Sequence, residues 1–287
     1  MEFRQMAFRR IPSVMVMILT AGILAGCSSI FGDDEDEVIP VENRSAREIF
    51  DAAQVQLDDG EPINAAKGFD EIERLFPFSQ LAKRAIIMSA YSYYQGSDFP
   101  AARASAKRYL DLYPSDTDAP YAQYLIALTY YDNIVDIGRD QAMTKNALQE
   151  LTELTRRYPD SEFARDAGLK IDLTNNHIAG KEMEIGRYYL KRGHFTAAIN
   201  RFRVVLEKYQ TTAHTPEALH RLVEAYLSLG LEREAQVTAA VLGHNFVGEE
   251  WYAASYALLE GRDLRPASEE DAWYDSIYRQ VFEGGWL

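Results

Sequence analysis

Cysteine is almost missing from this chain of 287 residues. Cys27 is its single thiol, so no intramolecular disulfide can staple the fold. Stability has to come from apolar burial, for which 47% hydrophobic residues are ample. Positive charge is also scarce. Thirty Lys and Arg stand against 44 Asp and Glu, a net −14, and no basic stripe offsets it. That balance excludes nucleic acid as a partner. No sustained period-two alternation argues for strands. Catalytic signatures are absent: there is no Gly-x-Ser-x-Gly elbow, no His-Glu-x-x-His pair, no phosphate-binding loop and no dinucleotide fingerprint. His214 and His220 are six residues apart, off a common helical face, and no second cysteine can complete a zinc site. Glu249-Glu250 and Glu269-Glu270-Asp271 read as solvated charge. The expectation is a protein that is not an enzyme and uses no cofactor.

What is present begins with a basic leader, Arg4, Arg9 and Arg10, and an apolar stretch from Ser13 to Leu24 that is too short to span a bilayer. It runs into Leu24-Ala25-Gly26-Cys27, which resembles the lipobox of bacterial lipoproteins. The resemblance implies a signal peptide over 1–26, cleavage before Cys27, and acylation of its thiol and new amino terminus. One acyl chain, at about 0.8 kcal/mol per buried methylene, anchors only marginally, so two or more are needed. Ser28, where an Asp would retain the protein at the inner membrane, implies export to the outer membrane. Cleavage leaves 27 basic against 43 acidic residues, a charge of −16 that disfavours anionic headgroups and leaves the acyl chains as the membrane contact. Residues 27–43 form a lipid-anchored acidic tether. The run Asp33-Asp34-Glu35-Asp36-Glu37 repels itself and buries nothing, and an acidic docking tail is the other reading.

From Ser45 onward the chain repeats itself. Leu75-Phe76-Pro77, Leu112-Tyr113-Pro114 and Arg157-Tyr158-Pro159 each close an amphipathic segment, and Lys208-Tyr209-Gln210 is a copy without the proline. Proline lacks an amide hydrogen and bars helical geometry in the residue before it, so each should end a helix. Ala65-Ala66, Ala101-Ala102 and Ala197-Ala198 let paired helices approach closely. Gly60, Gly96 and Gly193 fit the ends of the helices before them. Ala53, Ala90, Ala127 and Gly186 hold one equivalent small position, and a looser fifth unit runs through Ala225, Gly230 and Ala235. The period and markers resemble the tetratricopeptide repeat (TPR). An all-α superhelical solenoid of about five helix-turn-helix units is expected over 44–242, with extra residues around Asn133 to Thr144 in the third.

In such a solenoid the first helix of each unit faces a concave groove. Counting from the small residue gives Phe50, Gln54 and Leu57, then Ile87, Tyr91 and Tyr94, then Tyr124, Leu128 and Tyr131, each set on one helical face. Tyrosine suits extended or aromatic-rich peptide. Packing between units is the competing reading, above all for Leu57, Tyr94 and Tyr131. Residues 243–287 carry Trp251, Tyr252, Tyr256, Trp273, Tyr274, Tyr278 and Trp286, either as a helical cap or as a partner-docking extension.

Lipobox, unit count, insertion, Arg74-Leu75-Phe76-Pro77-Phe78-Ser79, Ala90-Tyr91-Ser92-Tyr93-Tyr94 and Tyr158-Pro159-Asp160-Ser161 together resemble the BamD family of TPR lipoproteins. Arg139-Asp140-Gln141, Lys191-Arg192-Gly193 and Asn200-Arg201 add to the match. The resemblance implies a non-enzymatic scaffold, lipid-anchored on the periplasmic face of the outer membrane, in the β-barrel assembly (BAM) machinery. Implied partners are a POTRA domain of a BamA-type barrel protein, other BAM lipoproteins, and unfolded outer-membrane β-barrel precursors. The resemblance assigns Arg139, Asp140, Arg192 and Arg201 to the BamA-type contact. It assigns the groove positions Phe50, Gln54, Ile87, Tyr91, Tyr124 and Leu128 to clients, and to Arg108 a link between the two. For Arg201 an internal ion pair, with Glu207 or a neighbouring helix, stands beside the partner contact. A superhelical lytic transglycosylase is excluded because no lysozyme-like domain fits after the repeats. The alternatives are a pilotin-like lipoprotein and a Tol-associated adaptor, though no heptad run supports the latter.

Overall fold

The computed structural model describes residues 44–266. The chain divides into two compact units, Met1–Ser45 and Ala46–Leu287, and the fold described is that of the second. The signal peptide, Cys27, the acidic tether, and Trp273, Tyr274, Tyr278 and Trp286 lie outside the described residues. Eleven helices make up the described chain: α1 Ala46–Asp58, α2 Pro62–Leu75, α3 Gln80–Gln95, α4 Phe99–Leu112, α5 Ala119–Tyr131, α6 Ala142–Arg157, α7 Glu162–Lys191, α8 Phe195–Lys208, α9 Thr215–Ser228, α10 Glu232–Phe246 and α11 Glu250–Glu260. No strand occurs among the described residues. Each helix packs on the next, and α1 on α3, α3 on α5, α5 on α7 and α7 on α9 form a continuous row of first helices. This is the stacking of a TPR-like solenoid, in which a unit buries its apolar face only against neighbours.

Local chemistry sets the ends. Ser79, Asp98 and Ser161 cap α3, α4 and α7 by accepting from the amides of Ala82, Ala101 and Ala164 at 3.1–3.2 Å. Phe76, Tyr113 and Tyr158, each before a proline, leave the helix at φ near −132° and ψ 53–57°. Tyr209, followed by Gln210, relaxes to ψ 31°, closer to helical values. Gly60, Gly193 and Gly230 take φ of +73° to +80° in the turns within units. The second unit departs from expectation: Ser97 takes the left-handed conformation (φ 59°), while Gly96 stays at φ −79°. Gly96 is required for a different reason, since a Cβ there would lie 2.4 Å from Ile63 Cδ1.

The shared small position is buried in all four units: Ala53, Ala90, Ala127 and Gly186. A Cβ on Gly186 would come within 2.3 Å of the Phe202 ring. Tyrosine–carboxylate bonds tie units together and, at Asp116, pin the turn between the second and third. Tyr93 donates to Asp70 at 2.8 Å, Tyr94 to Asp132 at 2.5 Å, Tyr109 to Asp116 at 2.6 Å, and Tyr124 to Asp166.

The largest departure from regular repeats is α7, 30 residues and about 45 Å long. Its first half packs on α5 and α6, where Ala167 joins Ala127, Leu151 and Leu154. Its second half packs on α8, where Ala179 and Met183 meet Ala198 and Phe202. One helix therefore serves two successive packing layers. The insertion, Asp132 to Gln141, is pinned to it. Lys181 donates to the Gly138 carbonyl at 3.2 Å, His177 bonds Gln141 at 3.1 Å, and Ile137 lies against Gly180.

Candidate interaction surfaces

The first helices of units one and two enclose an open cleft of about 510 Å³, lined by Gln54, Leu57, Asp58, Met88, Tyr91 and Gln95. Apolar walls and amide tips at this spacing suit an extended peptide, whose backbone supplies donors and acceptors. Gln54 is half-buried and donates to Asp58 at 3.1 Å, and Tyr91 is half-buried. Phe50 and Ile87, expected on the groove, are core residues at 5% and 6% exposure. Phe50 meets the Phe69 ring edge-on at 5.1 Å, and Ile87 joins Tyr109 and Ile126. Each sits where two helices converge, so packing between helices takes the face that the repeat register turned toward a peptide. Tyr124 is half-buried between Phe163, Lys170 and Asp166, and Leu128 is half-buried one turn further on. A second cleft of about 260 Å³ lies between Tyr131, Ile134, Leu173, Thr174 and His177. The sequence reading missed it, because Leu173 belongs to the part of α7 that no regular repeat contains.

Burial raises the pKa of Tyr93, Tyr94, Tyr109, Tyr121 and Tyr124. Burial, reinforced by the bond to Asp70, pushes Tyr93 up to about 12, and burial, helped by the neighbouring Tyr91 and Tyr124 hydroxyls, carries Tyr121 to about 12. Tyr94 and Tyr109 are raised by burial and by their aspartate bonds. Asp116 is held at about 2, first by its bond from Lys83, then by Tyr109 and the Asp118 amide.

The residues expected at the carboxyl-terminal contact fall in three settings. Arg139 and Asp140 are exposed in the insertion, where Asp140 accepts from the Ala142 amide at 3.4 Å. Arg192 is exposed at the end of α7, its guanidinium 4.4 Å over the Tyr188 ring. Arg201 donates to Glu182 of α7 at 3.1 Å, while Glu207 is taken by Arg203. Arg108 pairs with Glu73 at 2.8 Å and with Asp70 at 3.6 Å.

Comparison with known proteins then supplies what geometry alone does not. The sequence pattern of the YfiO family, described as "Outer membrane lipoprotein", matches residues 42–242. The chain belongs to the YfiO family. A Caulobacter vibrioides protein named outer membrane protein assembly factor BamD is 45% identical over 263 residues, 91% of this chain and 85% of that one. A BamD of Rickettsia prowazekii is 37% identical, covering 88% of this chain and 98% of its own. One from Neisseria meningitidis is 30% identical, covering 78% and 87%. The YfiO match stops before α11, and that helix packs on α9 and α10. Leu259 is buried with Val223 and Leu227, Ser255 bonds the buried His220 at 2.8 Å, and Trp251 stacks on His220 at 5.3 Å. Among the described residues no helix is long and apolar enough to cross a membrane.

Proposed function

We propose that this chain is the outer-membrane protein assembly factor of a BAM machinery, a scaffold that catalyses no reaction. Acyl chains on Cys27 hold it to the periplasmic face of the outer membrane. Its amino-terminal cleft, with Gln54, Leu57, Met88 and Tyr91, receives unfolded β-barrel precursors in extended form. Its carboxyl-terminal half, from the insertion onward, docks a POTRA domain of the BamA-type barrel protein through Arg139, Asp140, Arg192 and Arg201, beside other BAM lipoproteins. The observation that carries the reading is the 45% identity, over 91% of the chain, to a protein named as such an assembly factor. A division of labour is supported by placement: the cleft lies at the first helices of units one and two, whereas Arg139, Asp140, Arg192 and Arg201 lie in the insertion, at the end of α7 and on α8. The test is affinity purification of the tagged lipoprotein from detergent-solubilised outer membranes, with mass spectrometry of partners. Stoichiometric recovery of a POTRA-containing barrel protein is expected. Recovery of a secretin or of Tol components in its place would refute the assignment. Mass measurement of the amino-terminal peptide should show Cys27 carrying acyl chains.

A further inference from the structure

The turn that follows α11 is built like the turns inside the repeat units. After α1, α3, α7 and α9 the chain reverses through one residue of positive φ: Gly60, Ser97, Gly193 and Gly230. In each turn that residue's amide donates to the carbonyl three residues back, and the next amide to the carbonyl five back. Gly60 thus donates to Leu57 at 3.1 Å and Glu61 to Gln56 at 2.8 Å. The turns between units, at Phe76, Tyr113, Tyr158, Tyr209 and Val247, all keep φ negative. After α11, Asp263 takes φ 58°, its amide donates to Glu260, and that of Leu264 donates to Leu259, both at 2.9 Å. Everywhere else among the described residues, a helix followed by this turn is the first of a pair.

The composition of α11 asks for such a mate. From Trp251 to Leu259 it is apolar or small, with charges only at its ends, Glu250 and Glu260. A helix of that kind is stable when buried all round. Here Ser255 and Leu259 are buried where α11 packs on α9 and α10, while Ala253, Ala257 and Leu258 are exposed on the opposite face, with Ala254 half-buried between them. The chain leaves beside this site. Arg262 donates to the Leu227 carbonyl at 2.9 Å, Leu264 packs with Val223, Leu227 and Leu259, and Gln236 of α10 donates to the Arg265 carbonyl at 2.7 Å. Residues 267–287 follow, and their sequence has a helical pattern. Ser268 and Asp271 are spaced as a capping box, Trp273, Tyr274, Ile277, Tyr278, Val281 and Phe282 recur on one helical face, and Gly284-Gly285 is a stop.

We propose that the face of α11 carrying Ala253, Ala257 and Leu258 is the docking site of the chain's own residues 269–283, which form the second helix of a sixth helix-turn-helix unit. The alanines admit a close helix, as Ala65-Ala66 and Ala197-Ala198 do within earlier units, and the aromatic stripe supplies the apolar area. The other face of the segment, with Asp275, Arg279 and Glu283, gives the solenoid the polar outer surface that a terminal repeat needs. Because the segment is tethered at the edge of the site, its effective concentration is in the millimolar range, above that of a free competitor. The carboxyl end of the solenoid is therefore closed by the chain itself, and this inference is independent of the docking reading above.

The experiment uses the full-length lipoprotein purified in detergent, with the photo-crosslinker p-benzoylphenylalanine in place of Ala257. Irradiation, proteolysis and mass spectrometry should find it joined to a peptide within 269–283 of the same molecule, in a yield unchanged over about a hundred-fold dilution. Trp273→Asp with Ile277→Asp should cut that yield about ten-fold, since it places charge in the apolar contact. Arg279→Ala, on the polar face, should leave the yield unaltered. The same probe in place of Tyr274, a near-isosteric exchange, should label 250–260 and gives an independent reading should bulk at Ala257 disturb the site. A product that is a dimer, with a yield that falls on dilution, would overturn the inference in favour of a second copy. Cross-linking to a different protein, or no intramolecular product from either position, overturns it as well. Failure to recover a POTRA-containing partner would not alter this result, so the two readings stand or fall separately.

Discussion

Two glycines of α7 make opposite predictions from one helix. At Gly186 a Cβ would stand 2.3 Å from Phe202 Cε1 and 2.8 Å from Cδ1 and Cζ, well inside the 3.5–4.0 Å that carbon atoms prefer. Phe202 is fully buried, so its ring has to move by more than an ångström into a packed core. Overpacking of this kind costs up to about 3 kcal/mol. Alanine returns about 1 kcal/mol through its better helix propensity, which leaves Gly186→Ala about 2 kcal/mol less stable. For a solenoid of this size that lowers Tm by about 4–8 °C. At Gly168 nothing lies within 4 Å of the position a Cβ would take. Gly168→Ala therefore keeps the propensity gain and stabilises by about 0.5–1 kcal/mol. Urea and thermal unfolding followed by circular dichroism at 222 nm measure both. A double-mutant cycle adds the mechanism, because Gly186→Ala should cost far less in a Phe202→Leu background. Equal signs for the two alanine variants, or no coupling to Phe202, would refute the packing argument.

Three further outcomes are expected. The folded state depresses Asp116 to about 2, so the stability it adds is full above its unfolded value near 4 and is lost as pH falls toward 2. Asp116→Asn should thus be less stable than the parent at pH 7 and indistinguishable from it near pH 2 in urea titrations. Tyr93 and Tyr121 stay protonated to about 12 in the fold but ionise near 10 when unfolded, so stability is full below pH 10 and declines from there to 12. Absorbance at 295 nm should show a tyrosine fraction that titrates only with loss of helical signal. In the cleft, Tyr91→Ala with Gln54→Ala should lower photo-crosslinking of an unfolded barrel precursor several-fold while partner recovery is unchanged. Loss of both together would mean that the cleft is structural.

Helix ends were the most legible part of the fold, because their causes are local. Phe76, Tyr113 and Tyr158 end helices where proline forbids the next helical residue, and the small residues mark the closest approach of each pair. The groove was legible only in register. Counting from Ala53 and Ala90 put Gln54 and Tyr91 on the cleft, but it put Phe50 and Ile87 there as well. A helix in a solenoid is packed on more than one side, and periodicity does not say which apolar neighbour covers which turn. The length of α7 was also written in the spacing. Pro77 to Ala90 and Pro114 to Ala127 are each 13 residues, whereas Pro159 to Gly186 is 27. The added 14 residues are close to four whole turns, so the apolar stripe stays in phase and the pattern shows no break. Arg201 could not be settled by pattern, since Glu182 and Glu207 were both in reach and only the packing of α7 on α8 brings the first to it.

A chain of stacked repeats bends at the joints between units, each joint being a soft contact of side chains. α7 removes one such joint. Where a regular solenoid would break and turn, a single hydrogen-bonded rod continues through both layers, and the insertion braces its middle. Compliance is thereby concentrated on either side of this rod. A displacement at the α5–α7 contact must reach α8 and α9 as a rigid rotation of about 45 Å of helix, so a small tilt at one end becomes a large translation at the other.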